Sequence, residues 1–276
     1  MSQLHKDTDH WSPQSYSAAA SFVPKLTQKV LQYLDPQPTD RVLDLGCGDA
    51  KFTGNYLHSV AEVYGVDASA SLIASANQDY GSSKARFTVL DCRYLEQDVE
   101  AVSGVWDKVV SNAALHWILR DCSTRVNTLR ACFSALKTGG AFVFEMGGAG
   151  NVAEVHTALM SALLHQGLSI HQAREASPWF FPSEAWMRKT LEDIGFIVEV
   201  LEIEYRPTKL TTGDEGGLRG WVKLMGASML GVLEDASKRE AALEQVCEVL
   251  STIVTRIEDG SEWLGYVRLR GVARKP

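Results

Sequence analysis

Between Arg41 and Met146 the sequence alternates short apolar runs with amphipathic stretches, and that alternation leaves few folds open. Strand patterns fall at Arg41–Leu45, Glu62–Val66, Arg86–Leu90, Trp106–Ser111 and Ala141–Met146. Helix patterns lie between them near Ala50–Ser59, Ser69–Tyr80 and Ser123–Leu136. Strands spaced by helices imply crossover connections and hence a parallel sheet covered on both faces. Lys137-Thr138-Gly139-Gly140 then puts glycines where the third helix wants a C-cap.

Two further strands are expected at Phe196–Tyr205 and Glu262–Gly271, and helices at Val152–His165, Asp214–Leu233 and Ser237–Ile257. In the last of these, Leu243, Val246, Cys247, Leu250, Ile253, Val254 and Ile257 recur at three-and-four spacing, a stripe read as core packing. Tyr16–Leu34 reads as a helical lead-in, ended by the Asp35-Pro36-Gln37-Pro38 turn. The expected organisation is one integrated domain. Residues 1–40 form a lead-in or lid, 41–150 a ligand-binding core, and 151–276 the remaining strands with helical insertions.

A chain of 276 residues can bury a full core without disulfides or a structural metal. Its net charge of −7, with basic residues scattered, suits a phosphate backbone poorly, so no nucleic-acid partner is expected. The five cysteines form no C-x-x-C pair and have no histidine at ligand spacing, so no metal is expected. The first residues lack the apolar core of a signal peptide, and no long apolar span follows; a cytoplasmic protein without membrane contact is expected. The sequence leaves the oligomeric state open.

Val42-Leu43-Asp44-Leu45-Gly46-Cys47-Gly48-Asp49-Ala50 sets a strand before G-x-G and a helix pattern after it. Such a loop lets a ligand approach bare backbone and aims helix N–H groups at it. The dinucleotide fingerprint wants a third glycine at the position held by Lys51. Asp44 and Asp49 also flank the loop, which disfavours a pyrophosphate and favours a ligand carrying positive charge. S-adenosylmethionine, with a sulfonium and an ammonium, is such a ligand. Asp67 ends the second strand about 20 residues on, the spacing at which a carboxylate meets ribose hydroxyls. Asp91 ends the third, where it could accept from an adenine amino group. One such acid is an ordinary turn former; three at consecutive strand ends mark the ligand edge of an open sheet.

Together, Asp44-Leu45-Gly46-Cys47-Gly48, Asp67, Asp91 and the Leu136–Gly140 turn resemble the motif set of class I S-adenosylmethionine-dependent methyltransferases. The resemblance implies a Rossmann-like, doubly wound α/β sheet of seven strands with the last antiparallel, a helical N-terminal lead-in and a helical lid insertion. It implies that Gly46 and Gly48 hold the methionine part, Asp67 the ribose and Asp91 the adenine side, with Asp44, Cys92, Asn112, Trp11 and Tyr16 around the cofactor. Ala50 departs from the pattern, since many members carry a third loop glycine there.

A narrower resemblance follows the fourth strand. Ser111-Asn112-Ala113-Ala114-Leu115-His116-Trp117, and His10-Trp11-Ser12-Pro13-Gln14-Ser15-Tyr16 at the front, are similar to the trans-aconitate methyltransferase-like branch. Pro178–Ser183, Arg206-Pro207-Thr208 and Gly217–Trp221 resemble its substrate-side insertion. The resemblance implies methyl transfer to a small-molecule acceptor, most naturally on oxygen, with Trp117, Met146, Trp179 and Trp221 as acceptor walls. A carboxylate acceptor needs only donors, whereas a phenol, alcohol or thiol gains from a base, for which His116 is the candidate. Arg206 could pair a substrate carboxylate, but reads first as a solvated strand-end residue. Readings weighed against these are a non-catalytic cofactor-binding module, transfer to N, C or S or to a protein, and a dehydrogenase, the last opposed by Lys51.

Overall fold

Seven strands make one mixed sheet in the order β3-β2-β1-β4-β5-β7-β6. They are β1 (Arg41–Leu45), β2 (Glu62–Asp67), β3 (Ala85–Val89), β4 (Trp106–Asn112), β5 (Leu136–Gly147), β6 (Ile197–Lys209) and β7 (Trp263–Arg274). The structure is a computed structural model and describes residues 11–12, 27–212 and 216–276. β1 pairs in parallel with both β2 and β4, and β7 runs antiparallel between β5 and β6. The Rossmann-like sheet with an antiparallel last strand is therefore present as expected. Its order reverses between β1 and β4, and ligands of open α/β sheets bind at that switch point beyond the carboxyl ends of the strands.

Among the described residues the α-helices are α1 (Gln28–Leu34), α2 (Ala70–Tyr80), α3 (Leu115–Ile118), α4 (Arg125–Ala135), α5 (Ala153–His165), α6 (Ile170–Glu175), α7 (Glu184–Ile194), α8 (Gly217–Met225), α9 (Ala227–Gly231) and α10 (Ala236–Val254). Two buried clusters cover the sheet's two faces, around Phe142, Phe144 and Trp106 and around Val42, Val63 and Val143. A third fills the insertions, where α5, α8 and α10 bury Leu159, Trp221 and Leu250 against Leu264 and Tyr266 of β7. Burial alternates along a strand, so β7 can serve the sheet with Leu269 and the insertion cluster with Tyr266.

Several expected elements are corrected. No α-helix spans Ala50–Ser59; two single-turn 3₁₀ segments, Thr53–Asn55 and Leu57–Ser59, take its place. Ala50 is held at φ +60°, outside helical space, and Gly54 lies so close to the Tyr80 ring that a Cβ would sit 2.5 Å from it. The Lys137–Gly140 glycines do not cap α4, whose C-cap is Leu136 in an extended conformation. Gly139, at φ +80°, instead donates its N–H to the Lys275 carbonyl. The helix expected over Asp214–Leu233 is two, α8 and α9, broken at Gly226; Asp214 lies outside the described residues. In α10 the stripe is buried at Leu243, Val246, Leu250 and Val254, but Ile253 is exposed and Ile257 lies beyond the helix end. The expected strand at Glu262–Gly271 runs on to Arg274, and that at Phe196–Tyr205 to Lys209, so Arg206 sits inside β6 and not at its end. No helix among the described residues is long and apolar enough to cross a membrane.

Candidate active site at the carboxyl edge of the sheet

The β1 loop is pinned from below. The N–H groups of Gly46 and Cys47 both donate to the Val66 carbonyl, at 2.8 and 3.1 Å. Gly46 (φ +69°) and Gly48 (φ +56°) lie in left-handed space. At Gly46 a Cβ would come 2.2 Å from the Ala114 Cβ, so the post-β4 turn packs directly on bare backbone. Around Gly48 the nearest atom to such a Cβ is Leu72 Cδ1 at 4.0 Å, which leaves that stretch of backbone open to a ligand. Because only 3₁₀ turns follow, the loop offers its own amides and no helix macrodipole, a correction to the strand–loop–helix expectation.

The three acids have different environments. Asp67 Oδ2 accepts from the Gly48 N–H at 3.0 Å and Oδ1 from the Ser69 N–H at 2.8 Å, so it bridges the loop to the start of α2. Asp91 caps the 3₁₀ segment Cys92–Gln97 and is gripped by Arg93, whose Nε lies 2.9 and 3.0 Å from its two oxygens. Its carboxylate is thus already charge-paired where adenine was expected. Cys92 is buried, its Sγ 3.9 Å from the Val66 and Leu90 carbonyls. Asp44 is sealed beneath the loop, where Thr53 Oγ1 and Tyr56 Oη donate to its Oδ2 at 2.7 and 2.8 Å.

Burial raises the Asp44 carboxyl to about 6, against the two hydrogen bonds and with some help from nearby Asp67. A carboxyl raised above its unfolded value of 3.8 binds more protons folded than unfolded, so its contribution to stability falls as pH rises from about 4 to about 6. The full swing is about 3 kcal/mol. Asp44→Asn removes the titration. The stability of Asp44→Asn relative to wild type, read from urea midpoints, should rise by about that amount between pH 4 and pH 7. A difference independent of pH would show that Asp44 ionises normally.

Beyond the loop, β4 ends at Asn112, and Ala113 turns the chain at φ +63° with its N–H on the Glu145 carbonyl at 2.8 Å. Such strain in a non-glycine residue clusters at working sites. α3 then presents His116 and Trp117. His116 is buried, and its Nδ1 accepts from the Gly147 N–H at 3.3 Å. Burial first, and then the charge of Arg268, hold its imidazole well below the usual histidine range. Its carbonyl accepts from the Phe180 N–H at 2.9 Å, which ties the insertion to α3.

His116 opens on a cavity of about 70 Å³ at the ends of β4 and β5. Its walls are aromatic. Trp117 meets Trp11 edge-on at 5.3 Å and Trp179 at 5.7 Å, while Trp179 stacks on Phe181 at 5.8 Å and lies 6.4 Å from Trp221. Trp221 Nε1 donates to Tyr266 Oη at 2.7 Å. Trp11 is fixed by Ser71 Oγ donating to its carbonyl at 2.8 Å.

At the polar end of the cavity the sequence offers Arg206 alone. Glu145, only 3% exposed, receives Arg268 Nε at 3.0 Å, Arg206 Nη2 at 3.1 Å and Arg270 Nε at 2.5 Å. Burial pushes its carboxyl up, but Arg268, Arg206 and Arg270 outweigh burial and hold it below the ordinary glutamate value.

Of the residues singled out from sequence, Trp11, His116, Trp117, Trp179 and Trp221 line one cavity, while Gly46, Gly48 and Asp67 form the loop beside it. Tyr16 lies outside the described residues. Met146 is corrected: its side chain packs in the sheet core, because alternation along β5 gives Glu145 to the cavity and Met146 to the opposite face. Arg206 is corrected too, from solvated strand-end residue to half-buried partner of Glu145. Sequence reasoning missed Arg268 and Tyr266, although Tyr266-Val267-Arg268-Leu269-Arg270 carries the period-two pattern of a strand with a charged face.

S-adenosylmethionine fits this arrangement. The open backbone at Gly48 can receive its methionine part, and Asp67 offers the carboxylate its ribose requires. Asn112 Oδ1, buried without a partner among the described residues, is an acceptor suited to its ammonium. The fold and the loop define a class I methyltransferase.

A model of the methyltransferase domain matches residues 43–144. An uncharacterised methyltransferase of Schizosaccharomyces pombe is 36% identical over 97% of this chain and 98% of its own. The chain belongs to the S-adenosylmethionine-dependent methyltransferases. Trans-aconitate 2-methyltransferase of Deinococcus radiodurans is 27% identical over 39% of this chain and 40% of its own length. Phosphoethanolamine N-methyltransferase 2 of Haemonchus contortus, solved with S-adenosylhomocysteine, shares the fold at a TM-score of 0.53. It is 17% identical, with 91% of this chain and 52% of that one covered.

Proposed function

We propose that this methyltransferase acts on an oxygen of a small molecule, and that the oxygen belongs to a carboxylate. The observation that carries this is the state of His116. An imidazole whose Nδ1 accepts a backbone N–H carries its proton on Nε2, and burial beside Arg268 keeps it from taking a second. His116 is then a hydrogen-bond donor and has no lone pair left to remove an acceptor's proton. A carboxylate is anionic at neutral pH and needs no such removal.

When bound, the cofactor supplies an electrophilic methyl group. The chain's own part is to hold the acceptor in line and exclude water, through the tryptophan walls and the Nε2–H donor. The partial match to a trans-aconitate methyltransferase supports placing the chain near that branch, because that relative is named for a carboxylic acid. In this reading the acceptor is small, the protein works in the cytoplasm, and neither nucleic acid nor membrane takes part.

The test is a panel of carboxylic acids, phenols and thiols, with S-adenosylhomocysteine release and product mass as readouts. Carboxylic acids should give base-labile methyl esters at a rate flat from pH 6 to 8, and His116→Gln should retain activity within about tenfold. Turnover of a phenol or thiol that rises through a near-neutral pKa, and is lost about a hundredfold in His116→Gln, would refute the reading.

A further inference from the structure

Gly147-Gly148-Ala149-Gly150-Asn151 leads from the end of β5 towards α5, and this loop is stitched to β7. The Gly148 N–H donates to the Val267 carbonyl at 2.9 Å, and the Val152 N–H to the Gly265 carbonyl at 3.0 Å. Between them Asn151 Oδ1 accepts the Val267 N–H at 2.9 Å, so a side chain fills one rung of the ladder. Val152 is held at φ +43°, a left-handed conformation that a β-branched residue keeps only where its surroundings impose it. The Val267 N–H also fixes which way the Asn151 amide points, because only its carbonyl oxygen can face a donor.

That orientation leaves the Nδ2 amino group to be placed. Asn151 is only 4% exposed, and Nδ2 has no hydrogen-bond partner among the described residues. Nδ2 is not sealed in protein, and the space that Asn151 lines is the cavity it shares with His116. It stands over Gly147, 2.9 Å from where a Cβ on that residue would lie. Gly147 is also the residue whose N–H fixes the His116 tautomer. The Nε2–H of His116 is likewise without a partner among the described residues. Two donors thus stand around one bare glycine, and neither has an acceptor in the described protein. A buried donor without an acceptor is unfavourable, and a ligand oxygen that accepts from it removes that penalty.

We infer that Asn151 is a specificity-determining residue of the acceptor site, and that its Nδ2 donates to the acceptor's carboxylate beside the His116 donor. The inference deepens the O-methyl-transfer reading and rests on it for the nature of the acceptor, while the donor itself is testable by binding alone. A carboxylate has about four lone-pair sites on its two oxygens, so it can accept from both donors and still leave one free for the methyl group. With Oδ1 committed to β7, the amide cannot turn to offer an acceptor. A group that must itself donate at this place, such as an ammonium, is therefore rejected by the unpaired polar groups it would leave.

The test uses the full chain saturated with S-adenosylhomocysteine, with propanoate and propylamine as probes. In wild type, the Asn151 side-chain N–H signals are assigned by nuclear magnetic resonance through their own backbone, so this arm needs no variant. Propanoate should shift those signals as it saturates the protein, and propylamine should leave them in place. Asn151→Asp keeps an oxygen for the Val267 N–H but turns the cavity edge from donor to acceptor. By calorimetry at neutral pH it should weaken propanoate about tenfold or more and hold S-adenosylhomocysteine affinity within twofold. Side-chain signals that stay still under saturating propanoate, or wild-type protein that binds propanoate no more tightly than propylamine, would overturn the assignment. So would an Asn151→Asp variant that loses S-adenosylhomocysteine affinity while propanoate binding is unchanged, because the amide would then face the cofactor. Acids that shift the Asn151 signals but are never methylated would uphold the donor and refute the O-methyl reading. Methyl esters made by Asn151→Asp at the wild-type KM would do the reverse.

Discussion

Gly46→Ala should abolish cofactor binding in a protein that still folds, with S-adenosylhomocysteine affinity reduced a hundredfold or more. Two costs combine. A left-handed residue with a Cβ costs about 1–2 kcal/mol, and Gly46 is at φ +69°. Overpacking adds about 1–3 kcal/mol, because the new methyl would lie 2.2 Å from the Ala114 Cβ, inside any real contact. Neither side can yield easily. The loop is tied to Val66 by two hydrogen bonds, and Ala114 follows a turn already strained at Ala113. Relief must come from moving the loop away from β4, which spoils the backbone the cofactor meets. Calorimetry with S-adenosylhomocysteine, beside a thermal melt of the free protein, separates the two effects. Wild-type affinity in the alanine variant would mean that the loop has slack this structure does not show.

The second large effect is expected at Glu145. Glu145→Gln keeps the shape but leaves Arg268, Arg206 and Arg270 around a neutral amide, and two of those guanidiniums are deeply buried. Removing one partner of a buried ionic cluster costs about 3–5 kcal/mol, because the charges left behind cannot regain water. Urea unfolding should show a loss of that size. High concentrations of a small carboxylate should recover part of it by occupying the vacated charge. A loss below about 1 kcal/mol would mean that Glu202 and Glu204 already neutralise the cluster from outside.

The cofactor half was legible because its signals are local. A strand, two glycines and an acid at the next strand end are read along one stretch of chain, and the fold that results is fixed by alternation. The helix expected after the loop was misread because apolar spacing cannot reveal that Ala50 sits in left-handed space or that Gly54 abuts Tyr80. The acceptor half was only partly legible. Tryptophans in the insertion pointed to a pocket, and Trp117, Trp179 and Trp221 do line it. Its charged end was hidden because Glu145 and Arg268 come together only through the pairing of β5 with β7, across more than a hundred residues. Met146 was chosen over its neighbour Glu145 for want of the strand's phase, a one-residue difference that inverts every side chain on β5.

That pairing also bears on the order in which the two halves can come into being. The strands that carry the glycine loop and Asp67 are adjacent in sequence as well as in the sheet, so they can assemble through short closures while the chain is still being made. β7 must wait. It enters between β5 and β6 only after the insertion helices have been synthesised, and its docking closes the longest loop in the sheet. Until then Tyr266 and Arg268 are absent from the cavity. A nascent chain can therefore acquire a place for the methyl donor well before it has any place for the molecule to be methylated.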